Sequence, residues 1–338
     1  MKHLISLKEQ TKDDIIQILE TARKLKTLRK EGKFSNALAY RTLIMLFQKG
    51  STRTRLSFEA AMTELGGHAI FLESRTSQFS LTDFGDEIRA VMRFGSVLMF
   101  RALKVADVEM AASYNQIPVV DACSEKYHPA QSLGDMLTMV EHSGGPARNA
   151  THSVAGGLEN IKKVAWLGIE NNVSNTLMLT CAKLGISFYI AAPEADPVSI
   201  DKQLNKMAEK TGLVKRTLDV KEALEGANYV HTDTWMNMEF FSAEGGSTSG
   251  GESGKVKPEF AEEFERRKRT FAPYQLNAKI IDTYAPQAKI MHCMPCHIGY
   301  EITRDAIDHP NSVIFDQAEN RLHIQKAILL WLLGKHNI

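Results

Sequence analysis

The chain has 338 residues, 43% of them hydrophobic, which is enough for a large core and for more than one domain. Lys and Arg total 41 against 40 Asp and Glu, so the charge balance gives no reason to expect a nucleic acid or an acidic membrane as partner, while a local Arg cluster for a small anion stays compatible with it. Four scattered cysteines make no disulfide framework, the N-terminus lacks the apolar run of a signal peptide, and no segment approaches the roughly 20 apolar residues of a membrane span, so the expectation is a cytoplasmic protein.

The first predicted element is a helix capped by Thr11. Asp13 and Asp14 sit in its first turn, Ile15, Ile16, Ile18 and Leu19 recur at helical spacing, and basic residues load its far end. Strand-length apolar runs follow at 43–47, 69–72, 97–100 and 117–120. A second series lies at 164–167, 187–192, 228–231, 289–291 and 313–315. Most are separated by stretches long enough for a crossover helix, the pattern of parallel sheets covered on both faces. The glycine-rich stretch 142–157 reads as a loop or linker between two domains, and the Gly/Ser-rich stretch 242–255 as a solvent-facing surface loop. The fold class is therefore α/β: two doubly wound parallel-sheet domains, at 1–142 and 158–319, joined by interdomain helices.

The first strand runs into Gln48-Lys49-Gly50-Ser51-Thr52-Arg53-Thr54-Arg55, and an amphipathic helix begins there. A helix start offers unpaired N–H groups and partial positive charge, the hydroxyls donate further hydrogen bonds, and Arg grips phosphate with a two-pronged fork. Taken alone, Ser51 and Thr52 equally well cap the helix while both Arg face water. The spacing is not that of a P-loop, which removes nucleotide hydrolysis as the natural inference. The strand 164–167 runs into Gly168 and a helix start, yet Gly-x-Gly-x-x-Gly is absent, so a nicotinamide oxidoreductase lacks its fingerprint. Cys293 and Cys296 form a C-x-x-C without the second ligand pair that zinc normally needs.

Ser51-Thr52-Arg53-Thr54-Arg55, followed in order by His128-Pro129-Ala130-Gln131, His292-Cys293-Met294-Pro295 and Phe315-Asp316-Gln317-Ala318-Glu319-Asn320-Arg321, resembles the aspartate/ornithine carbamoyltransferase family over nearly the whole chain. The Cys of His-Cys-Met-Pro is similar to the ornithine branch. The resemblance implies that Ser51, Thr52, Arg53, Thr54, Gln78, Arg101, His128, Gln131 and Arg321 bind carbamoyl phosphate, with Gln78 on a loop that reaches a neighbouring subunit. It implies that Asn172, Asp233, Asn237, Met238, Cys293 and Met294 bind ornithine, and that Arg101, His128, Cys293 and Arg321 act in catalysis. It further implies that a C-terminal helix, 320–338, packs back on the first domain, that three copies assemble, and that neither metal nor organic cofactor is needed. Asn237-Met238-Glu239 stands where the family usually has Ser-Met-Gly. That departure keeps two alternatives open: a carbamoyltransferase for another amine (putrescine, an N-acylated ornithine or another amino acid), or a non-catalytic relative that binds carbamoyl phosphate.

Overall fold

The computed structural model describes residues 1–143, 153–236, 240–241 and 256–336. Thr11 caps helix α1 (Lys12–Lys30) through a reciprocal box: its hydroxyl accepts from Asp14 N, and the Asp14 carboxylate accepts from Thr11 N. A parallel sheet of β1 (Thr42–Phe47), β2 (His68–Glu73), β3 (Val97–Arg101) and β4 (Val119–Asp121) follows, in spatial order β2-β1-β3-β4. Its crossover helices are α2 (Thr52–Glu64), α3 (Phe84–Val91) and α4 (Val105–Ser113). β1 is buried from Leu43 to Phe47 because helices cover both faces, and it therefore reads as an unbroken apolar run.

Helices α5 (Pro129–Ser143) and α6 (Val154–Glu159) lead to a second parallel sheet. Its strands are β5 (Lys163–Leu167), β6 (Ser187–Ala191), β7 (Val214–Thr217), β8 (Tyr229–Thr232) and β9 (Lys289–His292), in spatial order β7-β6-β5-β8-β9. Between them run α7 (Asn172–Leu184), α8 (Lys202–Glu209), α9 (Val220–Leu224), α10 (Ala261–Phe271) and α11 (Ala278–Tyr284), and α12 (Arg304–Ile307) and α13 (Ile314–Leu332) close the chain. Two α/β sheets, all parallel, stand as the alternation of the sequence requires.

Each sheet reverses its winding once. In the first, the chain steps from β1 to β2 on one side and then to β3 on the other; in the second, β5 leads outward to β6 and β7 before β8 returns to the opposite side of β5. Loops that leave the carboxyl ends of adjacent strands diverge at such reversals and open a crevice. The segments leaving β1 and β3 start at Gln48 and Ala102; those leaving β5 and β8 start at Gly168 and Asp233.

Helix α13 packs on α1, α2 and α5, so the end of the chain lies against the first domain. One apolar cluster runs from Leu43 and Met45 through Leu133, Met136, Ile324 and Ile328 to Trp166 and Phe188, without a break between the sheets.

Three local expectations are corrected. Residues 313–315 open α13 instead of forming a strand, although Ser312 bridges Ile290 at the edge of β9. Residues 154–157, read as linker, lie in α6, where Ser153 caps the helix by accepting from Gly156 N. β7 shows no apolar run in the sequence because its centre is Lys215 and Arg216 on an edge strand, with Arg216 paired to Glu170 and Glu209. The linker residues 144–152 and the stretch 242–255 lie outside the described residues.

Gly157 sits where α6 meets α5: a Cβ there would approach Val140 Cγ1 at 2.7 Å and the Val140 carbonyl oxygen at 2.9 Å. Because the second obstacle is backbone, Gly157→Ala is expected to lower unfolding free energy by about 1–3 kcal/mol in chemical denaturation. An unchanged midpoint would show that the two helices part freely.

Candidate active site

The β1–α2 junction is pinned before it reaches the crevice. Gln48 Oε1 accepts from Leu103 N at 2.7 Å, and its Nε2 donates to Asp107 at 2.9 Å. Ser51, in extended backbone, caps α2 by accepting from Thr54 N at 3.3 Å. The first turn of α1 carries two acids in keeping with its dipole; the first turn of α2 carries none and holds Arg53 instead. Positive side chains at a positive helix end are unfavourable unless an anion joins them.

Two further guanidinium groups converge there. Arg101 ends β3, and Arg321 projects from α13. Thr54 Oγ1 accepts from Arg321 Nη2 at 2.9 Å and from Arg101 Nη1 at 3.4 Å. The Nε atoms of Arg53, Arg101 and Arg321 are all buried without a hydrogen-bond partner among the described residues. Burial and the neighbouring Arg101 and Arg53 push Arg321 down to about 10, and burial lowers Arg53 as well. Three buried Nε donors with no acceptor, on guanidinium groups that form no ion pair among the described residues, define a place for a multiply charged oxyanion. Arg55 does not join them: it pairs with Glu59 at 2.9 Å on the surface and stacks over Phe71.

His128 and Gln131 border this cluster at the start of α5. His128 N donates to Thr176 Oγ1 at 3.0 Å, while its Nδ1 and the Gln131 Oε1 are buried without partners among the described residues. Burial, then Arg321, Arg101 and Lys49, holds His128 far below the ordinary histidine range, so its imidazole is neutral at physiological pH. Gln131 Nε2 donates to Asp135 at 2.7 Å. The same Asp135 oxygen accepts from Gln317 Nε2 at 2.7 Å, and Gln317 Oε1 accepts from His292 N at 2.9 Å. Gln317 also reaches His231 Nε2 at 2.9 Å, and His231 Nδ1 lies 2.9 Å from the Thr232 carbonyl oxygen. The network is consistent when His231 carries its proton on Nδ1. These contacts tie α5 and α13 to the ends of β8 and β9.

Across the crevice, Asp233 accepts from Asn171 Nδ2 at 2.7 Å, Thr234 N at 2.7 Å and the Cys293 thiol at 2.9 Å. Burial, then Asp233, pushes the Cys293 thiol well above its ordinary value, so it stays protonated at neutral pH. Met294, at φ +54°, donates its N–H to His292 Nδ1 at 2.8 Å. Left-handed backbone at a non-glycine residue is held only where its surroundings enforce it. Cys123, at φ +148° on the opposite wall, is the other such residue beside the site. Ligand atoms of Asp233, His292 and Cys293 lie within 4.8 Å of one another, the kind of grouping that holds a metal. Both His292 ring nitrogens are engaged, by Met294 N and by Glu301 at 3.2 Å, so these donors are already committed to the loop.

Comparison with known proteins agrees with this geometry. The model of the aspartate/ornithine carbamoyltransferase carbamoyl-P binding domain matches residues 2–141, and that of the Asp/Orn binding domain matches residues 160–332. An ornithine carbamoyltransferase of Pyrococcus abyssi is 37% identical over 98% of this chain and 96% of its own length; one from Archaeoglobus fulgidus is 36% identical over 100% and 99%. The solved ornithine carbamoyltransferase of Pyrococcus furiosus superposes with a TM-score of 0.83 at 35% identity, over 98% of this chain and 97% of that one. The chain belongs to the aspartate/ornithine carbamoyltransferase family.

Within that family frame, the structure brings Ser51, Arg53, Thr54, Arg101 and Arg321 to one cluster, sets His128 and Gln131 at its edge, and faces it with Asp233, Cys293 and Met294. Thr52 is an exposed first-turn residue of α2. Gln78 is exposed on the turn at 78–80, and its side chain joins none of these groups. Asn172 Nδ2 donates to the Ser124 carbonyl oxygen at 2.7 Å, a contact from α7 to the segment that precedes α5. Asn237 and Met238 lie outside the described residues. Sequence reasoning missed Asn171, whose cap-box spacing to Ser174 was the available signal, and Asp135, one helical turn after Gln131.

Two outcomes follow from these charges. Inorganic phosphate at 100 times its dissociation constant should stabilise the protein by about 2.7 kcal/mol. Arg321→Met should melt no earlier than the parent without anion, since a buried unpaired charge is removed, yet lose most of that gain; early melting without anion would mean Arg321 is a structural cation. Asp233→Asn removes the charge that suppresses the Cys293 thiolate, so iodoacetamide labelling of Cys293, mapped by mass spectrometry at pH 8, should speed up. Slower labelling would break the proposed link between the two groups.

Proposed function

We propose that this carbamoyltransferase moves the carbamoyl group of carbamoyl phosphate to the δ-amine of L-ornithine, giving citrulline and phosphate. The observation that carries the reading is the set of three guanidinium groups, one of them, Arg321, buried, whose buried Nε atoms have no partner among the described residues, at an acid-free helix start facing Asp233 and Cys293 across the crevice. The phosphate dianion sits among Ser51, Thr52, Arg53, Thr54 and Arg101. The carbamoyl carbonyl lies toward His128 and Arg321, and the amide toward Gln131. A neutral imidazole and a buried guanidinium are suited to the negative charge that grows on the carbonyl oxygen.

The acceptor's α-ammonium pairs with Asp233, whose orientation three donors fix. Its δ-amine lies by Cys293 and Met294, where the protonated thiol presents sulfur lone pairs to an amine hydrogen. The neutral amine nitrogen attacks the carbonyl carbon and the carbonyl oxygen takes up the electron pair. Collapse breaks the bond to the phosphate oxygen, and the surplus amine proton leaves with phosphate. Positioning and charge stabilisation supply the acceleration. Asn172, Asn237 and Met238 are assigned to the amino-acid end, and three copies of the chain to one assembly, with Gln78 reaching a neighbour's site. Exposed Leu81 and Phe94, on the same domain as Gln78, supply apolar surface for such contacts. A second reading, another amine as acceptor, rests on Asn237-Met238-Glu239 and the Gly/Ser-rich stretch 242–255 that follows it.

Ureido product formation with ornithine, N-acetylornithine, N-succinylornithine, putrescine, lysine and aspartate tests both. Ornithine should be turned over fastest, and Asp233→Asn should lower kcat/KM for it by about 30-fold or more, as expected when a buried charge pair loses one partner. Turnover of putrescine alone would sink the ornithine reading, since that diamine has no α-amino-acid end.

A further inference from the structure

The residue expected to hold the carbamoyl oxygen, His128, is fastened to the other domain. Its backbone N–H donates to the Thr176 hydroxyl at 3.0 Å, and Thr176, wholly buried, lies one turn into α7. The Thr176 hydroxyl in turn donates to the Asn172 carbonyl at 2.9 Å, which fixes its lone pair on His128. One turn further on, Ser132 and Thr180 repeat the contact at 2.7 Å; the Thr180 proton is taken by the Thr176 carbonyl, so Ser132 is the donor. The whole approach to His128 is held the same way. Ser124 O accepts from Asn172, Lys126 O from Asn175, and Glu125 O from Ser199, while the Tyr127 hydroxyl donates to Asp201. The same helix α7 is capped by Asn171, whose side chain orients Asp233. One rigid helix of the acceptor domain thus touches both the backbone of His128 and the carboxylate across the crevice.

We propose that Thr176 is the positioning residue for His128, so that the acceptor domain aims the group that reads the carbamoyl carbonyl. This rests on the carbamoyl-phosphate reading above. Thr176 touches no substrate. Its hydroxyl sets where the His128 peptide lies, and with it the imidazole whose Nδ1 is unpartnered in the crevice. The three-arginine cluster is built on α2, β3 and α13, none of which Thr176 supports, so recognition of a bare phosphate is independent of it.

The test separates those two. Calorimetry on the full chain would measure inorganic phosphate and phosphonoacetamide, the stable isostere in which a methylene replaces the bridging oxygen of carbamoyl phosphate. Thr176→Val keeps the shape and removes the hydroxyl; Thr176→Ser keeps the hydroxyl. The valine variant should bind phosphonoacetamide about tenfold or more weakly while phosphate affinity changes less than about twofold, and the serine variant should stay within about threefold of the parent for both. Equal weakening of both ligands by valine, or no weakening of either, would overturn the proposal, the first by making Thr176 merely structural. Should valine fail to fold, Thr176→Ala removes the same hydroxyl from a smaller side chain and is read the same way: selective loss of phosphonoacetamide binding supports the proposal, and equal or no loss for the two ligands contradicts it. A parent protein that binds neither ligand would instead bring down the carbamoyl-phosphate reading itself.

Discussion

Uncompensated positive charge at the start of α2 is the constraint around which the molecule is arranged. Arg53, Arg101 and Arg321 come from a helix start, a strand end and the final helix, and burial with mutual repulsion lowers Arg321 to about 10. Such a gathering does not add stability by itself, because the groups lose hydration and none forms an ion pair among the described residues. The arrangement makes sense when a dianion completes it, and the surrounding structure holds the donors in place until then. Thr54 spans two of them, and Gln48 fixes the loop from behind.

Chain topology explains why residues so far apart in sequence meet. Both sheets reverse their winding beside the same crevice, so the segments leaving β1 and β3 face those leaving β5 and β8. Helix α13 adds Arg321 from near the chain end by crossing back over α1, α2 and α5. Gln317, one turn before Arg321, joins Asp135 on α5 to His231 and the backbone of His292. A single buried amide therefore sets the guanidinium of one domain in register with the strand ends of the other. Thr176 makes the complementary connection from α7 to α5.

Much of this was legible in the chain. Alternating apolar runs announced two parallel sheets, because strands buried on both faces are apolar throughout. Thr11 and its acids announced α1, and hydroxyls interleaved with Arg53 announced an anion site. What stayed hidden depends on distance. β7 carries Lys215 and Arg216 on an edge and shows no apolar run; residues 313–315 look like a strand because a buried helix start is apolar too. Nothing near Asn172 in sequence reveals that its amide reaches Ser124, or that Asn171 is the residue that turns toward Asp233. Asp135, His231 and Gln317 become a network only when three separate elements pack.

The central claim is that the anion cluster and the Asp233–Cys293 pair are two halves of one site. The most direct measurement is the affinity of a single molecule that spans them, ornithine acylated on its δ-nitrogen by a phosphonoacetyl group. The account predicts binding at least about 100-fold tighter than phosphonoacetamide, as expected for an analogue that joins both substrates, with Arg321→Met and Asp233→Asn each removing most of the gain. Affinity no better than that of phosphonoacetamide, or a gain untouched by Asp233→Asn, would contradict it.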